Sequence, residues 1–255
     1  MTTVTMPPEA AAHGHADDRS FWQKYIFSTD HKIIGIQFLL MSLLFLLLGG
    51  ILAMVIRWQL GYPNQPMPGG GVLPETMAPG GIVLPEFYTS LVTMHGTFMV
   101  FFAFMPLLVG VFGNYLIPLK IGAADMAFPK LNMASFWIAV PAGILMIAGF
   151  FVEGGHAAAG WTGYAPLSAN PEWTGVTLGQ QIWCVSLIVL GLSSILGAVN
   201  YISTVINMRA PGMTWMRLPL SIWSLFITAI LILLAMPILS GALIMLLLDQ
   251  VLGTH

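Results

Sequence analysis

Five apolar stretches, each long enough to cross a lipid bilayer, limit this chain to a small set of folds. They cover about 32–57, 87–117, 132–153, 178–207 and 217–250. The hydrocarbon core of a bilayer is about 30 Å thick, which roughly 20 helical residues can cross. Lipid offers the backbone no hydrogen bonds, so each stretch is expected to be a helix. The sequence therefore predicts an all-α membrane protein, a bundle of about five transmembrane helices.

Composition supports this class and excludes others. Charged residues make up 7% of the chain and apolar residues 57%, whereas roughly a quarter of the residues of a soluble domain are charged. A net charge of -2 provides no basic patch for nucleic acid. The single cysteine, Cys184, lies inside an apolar run, where it is interpreted as a small buried hydrophobe. The expected surroundings are membrane lipid, with no nucleic acid.

The chain divides into a short tail and one bundle. Residues 1–29 lack a basic segment followed by an apolar one, so they are interpreted as a mobile cytoplasmic tail. Residues 30–255 form the predicted transmembrane bundle, with Asp30 at the first helix start and Thr177 as a cap of the fourth helix. The segment from Gly61 to Pro85 is rich in proline and glycine and is predicted to be an extended external loop.

Basic residues indicate the orientation of the bundle. Lys and Arg concentrate on the cytoplasmic side of membrane proteins. Only Arg57 is placed at the far ends of the predicted helices. The tail and the 121–131 loop are therefore predicted to face the cytoplasm. The residues on the tail side are Arg19, Lys24, Lys32, Lys120, Lys130, Arg209 and Arg217.

A histidine within the second apolar stretch is the first candidate for chemistry. His95 precedes Gly96, whose missing side chain would let a flat macrocycle approach the backbone. Neutral imidazole is a good axial ligand for haem iron, and ionisable groups inside membranes are usually functional. A core histidine bonded to a neighbouring helix is the alternative. Tyr88 and Met99 share the helix face of His95, although aromatic and Met residues at this spacing usually only pack.

A set of polar residues suggests either a proton path or contacts between helices. A carboxylate at the water boundary could collect protons, and amides and hydroxyls deeper inside could order a file of waters. The alternative is that the acid caps a helix while the others hold helices together, as Ser and Asn often do in membranes. Composition alone favours the second interpretation. The set comprises Asp125, Asn114, Asn132, Asn200, Ser193 and Ser194.

Three linked motifs carry a resemblance to a known family. MHGTFMVFF, then FGN, then PLKIGAADMAFPKLN resemble helix 2, the following loop and the start of helix 3 of subunit I of the haem-copper respiratory oxidases. The similarity extends from Asp30 to the last residue and covers the first half of the family's subunit. It implies that the bundle is part of a twelve-helix fold.

The resemblance also implies the haem contacts. His95 matches one axial ligand of the low-spin haem iron, and Tyr88 matches a residue that bonds a propionate of that haem. Arg57, in IRWQLG, matches an arginine that bonds the formyl group. Trp161, in GWTGYAPLS, matches a tryptophan that contacts a propionate of the active-site haem. Met99 keeps mainly a packing role.

The remaining matches concern the proton path, and two positions depart from the family pattern. FGN, GAADMAFPKLN and GLSSILGAVN match segments that line the proton-uptake path named for its aspartate, here Asp125. Met133 stands where relatives commonly have a second asparagine after Asn132. Gln59 stands where many relatives have a glutamate that binds calcium or sodium, so no such ion site is predicted.

The implied activity is proton-pumping reduction of oxygen to water with electrons from cytochrome c, in a bacterial-type plasma membrane. The implied cofactor is low-spin haem, of the haem A type. Copper and a second haem are expected in the complete enzyme without ligands from this segment, so the chain alone should be inactive. Expected partners are the remainder of subunit I, the copper-bearing subunit II and cytochrome c.

Two alternatives stay open at this point. Relatives that use quinol carry four polar residues at places that here hold Leu48, Leu52, Phe87 and Ser90, so cytochrome c is favoured over quinol. A transporter or channel is the alternative of another class, because membrane spans interrupted by Gly and Pro suit those proteins too.

Overall fold

The computed structural model describes residues 20–254 and contains, in that range, five helices long and apolar enough to span a membrane. That part of the chain has no β-strand. The predicted fold class is therefore confirmed. The spans are His31–Gly61, Pro85–Ile121, Pro129–Phe151, Leu178–Asn207 and Leu220–Leu252. The α-helical elements are α1 (His31–Gly61), α2 (Pro85–Thr97), α3 (Phe112–Ile121), α4 (Pro129–Ala148), α5 (Pro171–Thr174), α6 (Leu178–Asn207) and α7 (Leu220–Leu252).

The starts of α1 and α6 differ in how they are capped. The Asp30 side chain accepts hydrogen bonds from the backbone N–H of Lys32 at 2.7 Å and of Ile33 at 3.4 Å. This confirms Asp30 as the helix start, since an aspartate satisfies N–H groups that have no partner within the helix. The Thr177 side chain accepts no such bond at the start of α6. Thr177 therefore occupies the predicted N-cap position, but its side chain makes no capping bond.

The second span is not one regular α-helix. Between α2 and α3 the backbone forms π-helical turns at Phe98–Phe104 and Pro106–Val111. Proline has no N–H, and its ring clashes with the carbonyl four residues earlier, so Pro106 disturbs the regular hydrogen-bond pattern. The helix predicted over 87–117 is therefore present but includes π-helical turns. Widened turns of this type often lie at functional sites.

Packing makes α6 the central helix of one half of the bundle. It lies between α4 and α7, while α1 packs against the second span. Aromatic rings fill the space between α1 and the second span, where Phe45 stacks on Phe102 with centroids 4.6 Å apart. The Ser193 hydroxyl donates to the Ser135 carbonyl at 2.6 Å, which joins α6 to α4.

The two ends of the bundle carry opposite charge. At one end, termed the basic end, the start of α1 lies with the 122–128 and 208–219 loops, and Ala210 N–H donates to the Ile121 carbonyl at 2.9 Å. The other end, termed the acidic end, contains the 62–84 loop and the segment 149–177. Charged residues at the basic end are Lys24, Asp30, Lys32, Lys120, Asp125, Lys130, Arg209 and Arg217, and those at the acidic end are Arg57, Glu75, Glu86, Glu153, Glu172 and Asp249.

The bundle begins earlier than the sequence predicted. Of the predicted tail, residues 1–19 lie outside the described residues, whereas 20–29 pack against the helices. The carbonyl of Ile26 accepts hydrogen bonds from Gln37 Nε2 at 2.8 Å and from Trp137 Nε1 at 3.1 Å. Phe27 stacks on Trp137 with a centroid distance of 5.0 Å. The segment before α1 is thus attached to both α1 and α4.

His156 fixes the start of the 154–177 segment. Its Nε2–H donates to the Met146 carbonyl at 2.7 Å, and its Nδ1 accepts from Ala157 N–H at 2.6 Å. The Ser90 hydroxyl donates to the His156 carbonyl at 3.1 Å. The ring is 1% exposed, and this burial lowers the pKa of His156 to about 4. His156 is therefore a neutral structural residue that joins α2, α4 and the loop.

Acid should destabilise the fold through His156. In the folded state His156 stays neutral down to about pH 4, whereas an unfolded imidazole takes up a proton near pH 6.5. Between these values the unfolded chain binds more protons than the folded one. The free energy of unfolding should therefore decrease as the pH is lowered, by about 3 kcal/mol at pH 4. Thermal unfolding in detergent across this range should show a steeper loss for the natural protein than for His156→Gln, whose amide can make the same two bonds. Parallel pH profiles would contradict this account.

Candidate functional site

His95 lies on α2 with one ring nitrogen bonded and the other available. Its Nδ1 is 2.9 Å from the Gly49 carbonyl of α1. A carbonyl only accepts, so Nδ1 carries the hydrogen and Nε2 keeps its lone pair. Nε2 makes no hydrogen bond within residues 20–254, and the half-buried ring is not sealed in the core. Metal-binding histidines are commonly oriented by such a bond from the other nitrogen. The geometry of His95 therefore fits the role of an axial ligand of haem iron.

The space beside Gly96 is already occupied. A Cβ atom at Gly96 would lie 2.6 Å from Cδ1 of Trp161, so the indole rests directly on the backbone of α2. The prediction that this glycine leaves room for a macrocycle is wrong, because the tryptophan fills that room. The outcome still brings Trp161, which is 42% exposed, next to the residue that follows His95.

The other predicted haem contacts differ in their position relative to His95 and in their own contacts. Met99 packs on the same glycine that His95 contacts, since a Cβ at Gly49 would lie 2.8 Å from the Met99 sulfur. Tyr88 is half-buried and Arg57 is exposed near the acidic end. Within residues 20–254 neither side chain makes a hydrogen bond or an ion pair. Arg57 and Tyr88 are therefore available to polar groups of a ligand, whereas Met99 serves packing.

An apolar cavity lies between α1, α2 and α4 near the acidic end. It has a volume of about 310 Å³, and its lining includes Leu48, Leu52 and Phe87. Those are three of the four positions at which quinol-using relatives are expected to have polar residues. The fourth, Ser90, is 3% exposed and donates its hydroxyl to the His156 carbonyl instead. The cavity therefore offers no polar side chain to a quinol head group.

Asp125 lies at the basic end in the loop before α4. Its carboxylate accepts a hydrogen bond from Met126 N–H at 2.7 Å. Partial burial raises its pKa, against the opposing effects of the Met126 bond and of nearby His31. The residue before α4, Phe128, has no side-chain cap, and Asp125 makes no bond to the first turn of α4. The alternative that Asp125 caps α4 therefore has no hydrogen bond to support it.

Three asparagines lie fully buried above Asp125, and within residues 20–254 their side-chain amides are partly or wholly without hydrogen-bond partners. Asn114 donates from Nδ2 to the Gly110 carbonyl at 2.7 Å and to the Tyr201 hydroxyl at 2.9 Å, but its Oδ1 has no partner. Asn200 accepts from Phe128 N–H through Oδ1 at 2.9 Å, and its Nδ2 has no partner. Neither polar atom of Asn132 is bonded. Buried polar groups of this kind are usually satisfied by internal water.

The two serines serve the packing of α6 as well as a small cavity. Ser193 bonds the Ser135 carbonyl on α4, and Ser194 donates to the Leu190 carbonyl of its own helix at 3.1 Å. Both line a cavity of about 50 Å³, together with Ser135 and Tyr201. A water needs roughly 10–15 Å³ of such space. The helix-contact interpretation of Ser193 and a water-lined interior are therefore compatible.

Sequence reasoning missed two members of this polar region. His31, at the start of α1, is 3% exposed, and its Nδ1 is 2.8 Å from the Asn114 carbonyl. Tyr201 directly follows Asn200, and its hydroxyl contacts the Asn114 amide. The available signal was position in the chain, since His31 follows the Asp30 cap and Tyr201 extends the GLSSILGAVN motif by one residue.

Comparison with known proteins identifies the family of this chain. Residues 33–255 match the family described as "Cytochrome C and Quinol oxidase polypeptide I". The chain is 42% identical to the cytochrome c oxidase subunit 1 of Thermostichus vulcanus over 91% of its own length and 39% of the relative. It is also 42% identical to the probable cytochrome c oxidase subunit 1-beta of Nocardia farcinica, over 97% of its own length and 39% of the relative.

The chain thus spans about two fifths of the length of the curated relatives that it matches. The matched range begins two residues into the first span and covers the other four spans. The chain belongs to the cytochrome c and quinol oxidase polypeptide I family, which comprises the haem-copper oxidase core subunits.

Proposed function

We propose that this chain forms the first part of the core subunit of a terminal oxidase that reduces oxygen to water with electrons from cytochrome c. The observation that carries the proposal is the His95 ring, whose Nδ1 is held by the Gly49 carbonyl while Nε2 has no protein partner within residues 20–254. Family membership supports the reaction class. A polytopic transporter would have no need of an imidazole held in this tautomer.

The His95 ring would bind the iron of a low-spin haem, of the haem A type. A haem bound there would accept and pass on single electrons. The bond to Gly49 fixes the ring orientation and keeps Nε2 unprotonated, as an iron ligand requires. Arg57 and Tyr88, at the acidic end, would bond polar groups on the haem edge, and Trp161 would contact a propionate of the second haem. Met99 packs the α1 side of the pocket.

Cytochrome c is proposed as the electron donor, in preference to quinol. The apolar cavity lined by Leu48, Leu52 and Phe87 has no polar side chain that could bind and deprotonate a quinol head group. An acidic end with five carboxylates and one arginine also suits a basic donor protein. Copper and the second haem would be bound by the remainder of subunit I, and subunit II would deliver electrons.

Proton uptake is proposed to start at Asp125. Partial burial raises its pKa, which makes the carboxylate a better proton acceptor than a fully solvated one. The unpaired amide atoms of Asn114, Asn132 and Asn200 would hold waters that lead from the carboxylate into the bundle. The serine-lined cavity around Ser193 and Ser194 continues this series toward the middle of the membrane.

The first test concerns the haem ligand. His95→Ala in the full-length subunit should abolish or grossly change the low-spin haem band in a reduced-minus-oxidised spectrum, because the iron loses its axial nitrogen. Thr89→Ala is a matched control, since Thr89 is exposed on the same helix and bonds only the carbonyl of Pro85. An unaltered spectrum in the His95 variant would refute the assignment.

The second test separates a proton path from a structural role. Asp125→Asn keeps size and hydrogen-bonding capacity and removes the charge, so stability should change by about 1 kcal/mol or less. Oxygen consumption should fall about tenfold or more, because the proton collector is lost. Haem spectra should stay normal, since Asp125 follows the basic end of the second span and His95 lies toward its acidic end. Lys130→Gln, which removes a charge at an exposed position of the same end of the bundle, is the control. Normal turnover and normal proton release in the Asp125 variant would leave only a structural role.

The third test concerns orientation in a bacterial-type plasma membrane. The basic end is proposed to face the cytoplasm, because Lys and Arg concentrate there. Cysteines introduced as Gln65→Cys and Ala124→Cys, both at exposed positions, should react with an impermeant thiol reagent in intact cells only at position 65. The native Cys184 is buried and serves as the internal background. Labelling at position 124 from outside would reverse the proposed topology.

A further inference from the structure

Tyr201 places a hydroxyl group deep inside the bundle, between the asparagines and the serine-lined cavity. The residue is 3% exposed on α6. Its oxygen accepts a hydrogen bond from Asn114 Nδ2 at 2.9 Å. Its own hydrogen has only a distant protein acceptor, the Gly110 carbonyl at 3.4 Å. That distance is longer than the usual donor–acceptor distance of an O–H hydrogen bond, so the protein satisfies the phenol hydrogen poorly.

The surface of the second span is shaped to admit this ring. A Cβ atom at Gly113 would lie 2.7 Å from Cζ and 3.0 Å from the hydroxyl oxygen of Tyr201. Only glycine at position 113 lets the phenol reach the amide of Asn114. A phenylalanine at 201 would fill the same space with its ring, so packing alone does not explain the hydroxyl.

The hydroxyl borders a space that can hold water. Tyr201 lines the cavity of about 50 Å³, whose other polar lining includes Ser135, Ser193 and Ser194. That volume suits roughly three waters, since each needs about 10–15 Å³. A water in the cavity would be the better acceptor for the phenol hydrogen. Tyr201 would then contact Asn114 on one side and a cavity water on the other.

We propose that Tyr201 is a positioning residue of the proton path, which connects the asparagine cluster to the serine-lined cavity. This inference rests on the proposed function, because it requires that protons enter at Asp125. The phenol stays neutral throughout. It accepts a bond from Asn114 Nδ2 and donates one to a cavity water, and so orients that water to receive a proton from the neighbouring water toward Asp125.

The inference is tested with Tyr201→Phe in the full-length oxidase, which removes one oxygen atom and keeps the ring. Turnover should fall about 3- to 10-fold, the effect expected from one lost hydrogen bond. The rate of proton uptake, followed with a pH dye after oxygen is mixed with the reduced enzyme, should slow by a similar factor. A merely structural role would leave this rate unchanged. The haem spectra and the KM for cytochrome c should not move.

Tyr115→Phe is the matched control, because Tyr115 is a 39% exposed tyrosine on α3 and makes no hydrogen bond within residues 20–254. Asp125→Asn, measured in parallel, separates the two levels of the account. Slow Asp125→Asn with normal Tyr201→Phe overturns the role of Tyr201 and leaves the proton path in place. Normal turnover in both variants overturns the path itself, and the role of Tyr201 with it.

Should Tyr201→Phe fail to assemble, 3-fluorotyrosine at position 201 supplies a second variant. It keeps the ring and hydroxyl while making the hydroxyl more acidic. A changed rate and pH profile of proton uptake are expected, since the strength of the bond to the cavity water changes. An unchanged rate and profile would overturn the inference.

Discussion

The structure depends on one constraint: the interior of a membrane supplies no hydrogen bonds, so every polar group must find a partner in the protein or in trapped water. Helices satisfy this for the backbone, and Pro106 shows the adjustment where a proline prevents the regular pattern. Side chains obey the same rule, as Ser42 and Thr97 do by bonding carbonyls of their own helices. The groups that break it therefore stand out.

Two sets of such exceptions lie along the second span and its neighbours, and other buried groups without a partner lie elsewhere, among them the Gln180 amide on α6. Within residues 20–254 the Nε2 atom of His95 has no partner, while Nδ1 is bonded to the Gly49 carbonyl, an arrangement that suits a metal ligand. Toward the basic end, the amides of Asn114, Asn132 and Asn200 keep atoms without partners. The second span, with its π-helical turns, connects both places. Unpaired polar groups at either place would cost free energy in a protein with no ligand or water there.

The sequence predicted the number and bounds of the spans well, because length and apolarity alone identify a transmembrane helix. It also selected His95, Asp125 and the asparagines, through motifs shared with a family. It could not predict the contact of Trp161 with Gly96, since the two residues lie far apart in sequence and meet only after folding. His31 and Tyr201 were missed for the same reason, because their importance comes from contacts with Asn114 on another helix.

The central claim is that the unpaired amides hold water that leads inward from Asp125. A cryo-electron microscopy map of the complete enzyme, at a resolution that shows ordered waters, tests it most directly at Asn132, whose two polar atoms lack any partner here. The account predicts water oxygens within hydrogen-bond distance of both Nδ2 and Oδ1 of Asn132, continuing toward Asp125. A dry site, or an Asn132 amide fully bonded to side chains of the rest of the subunit, would contradict it.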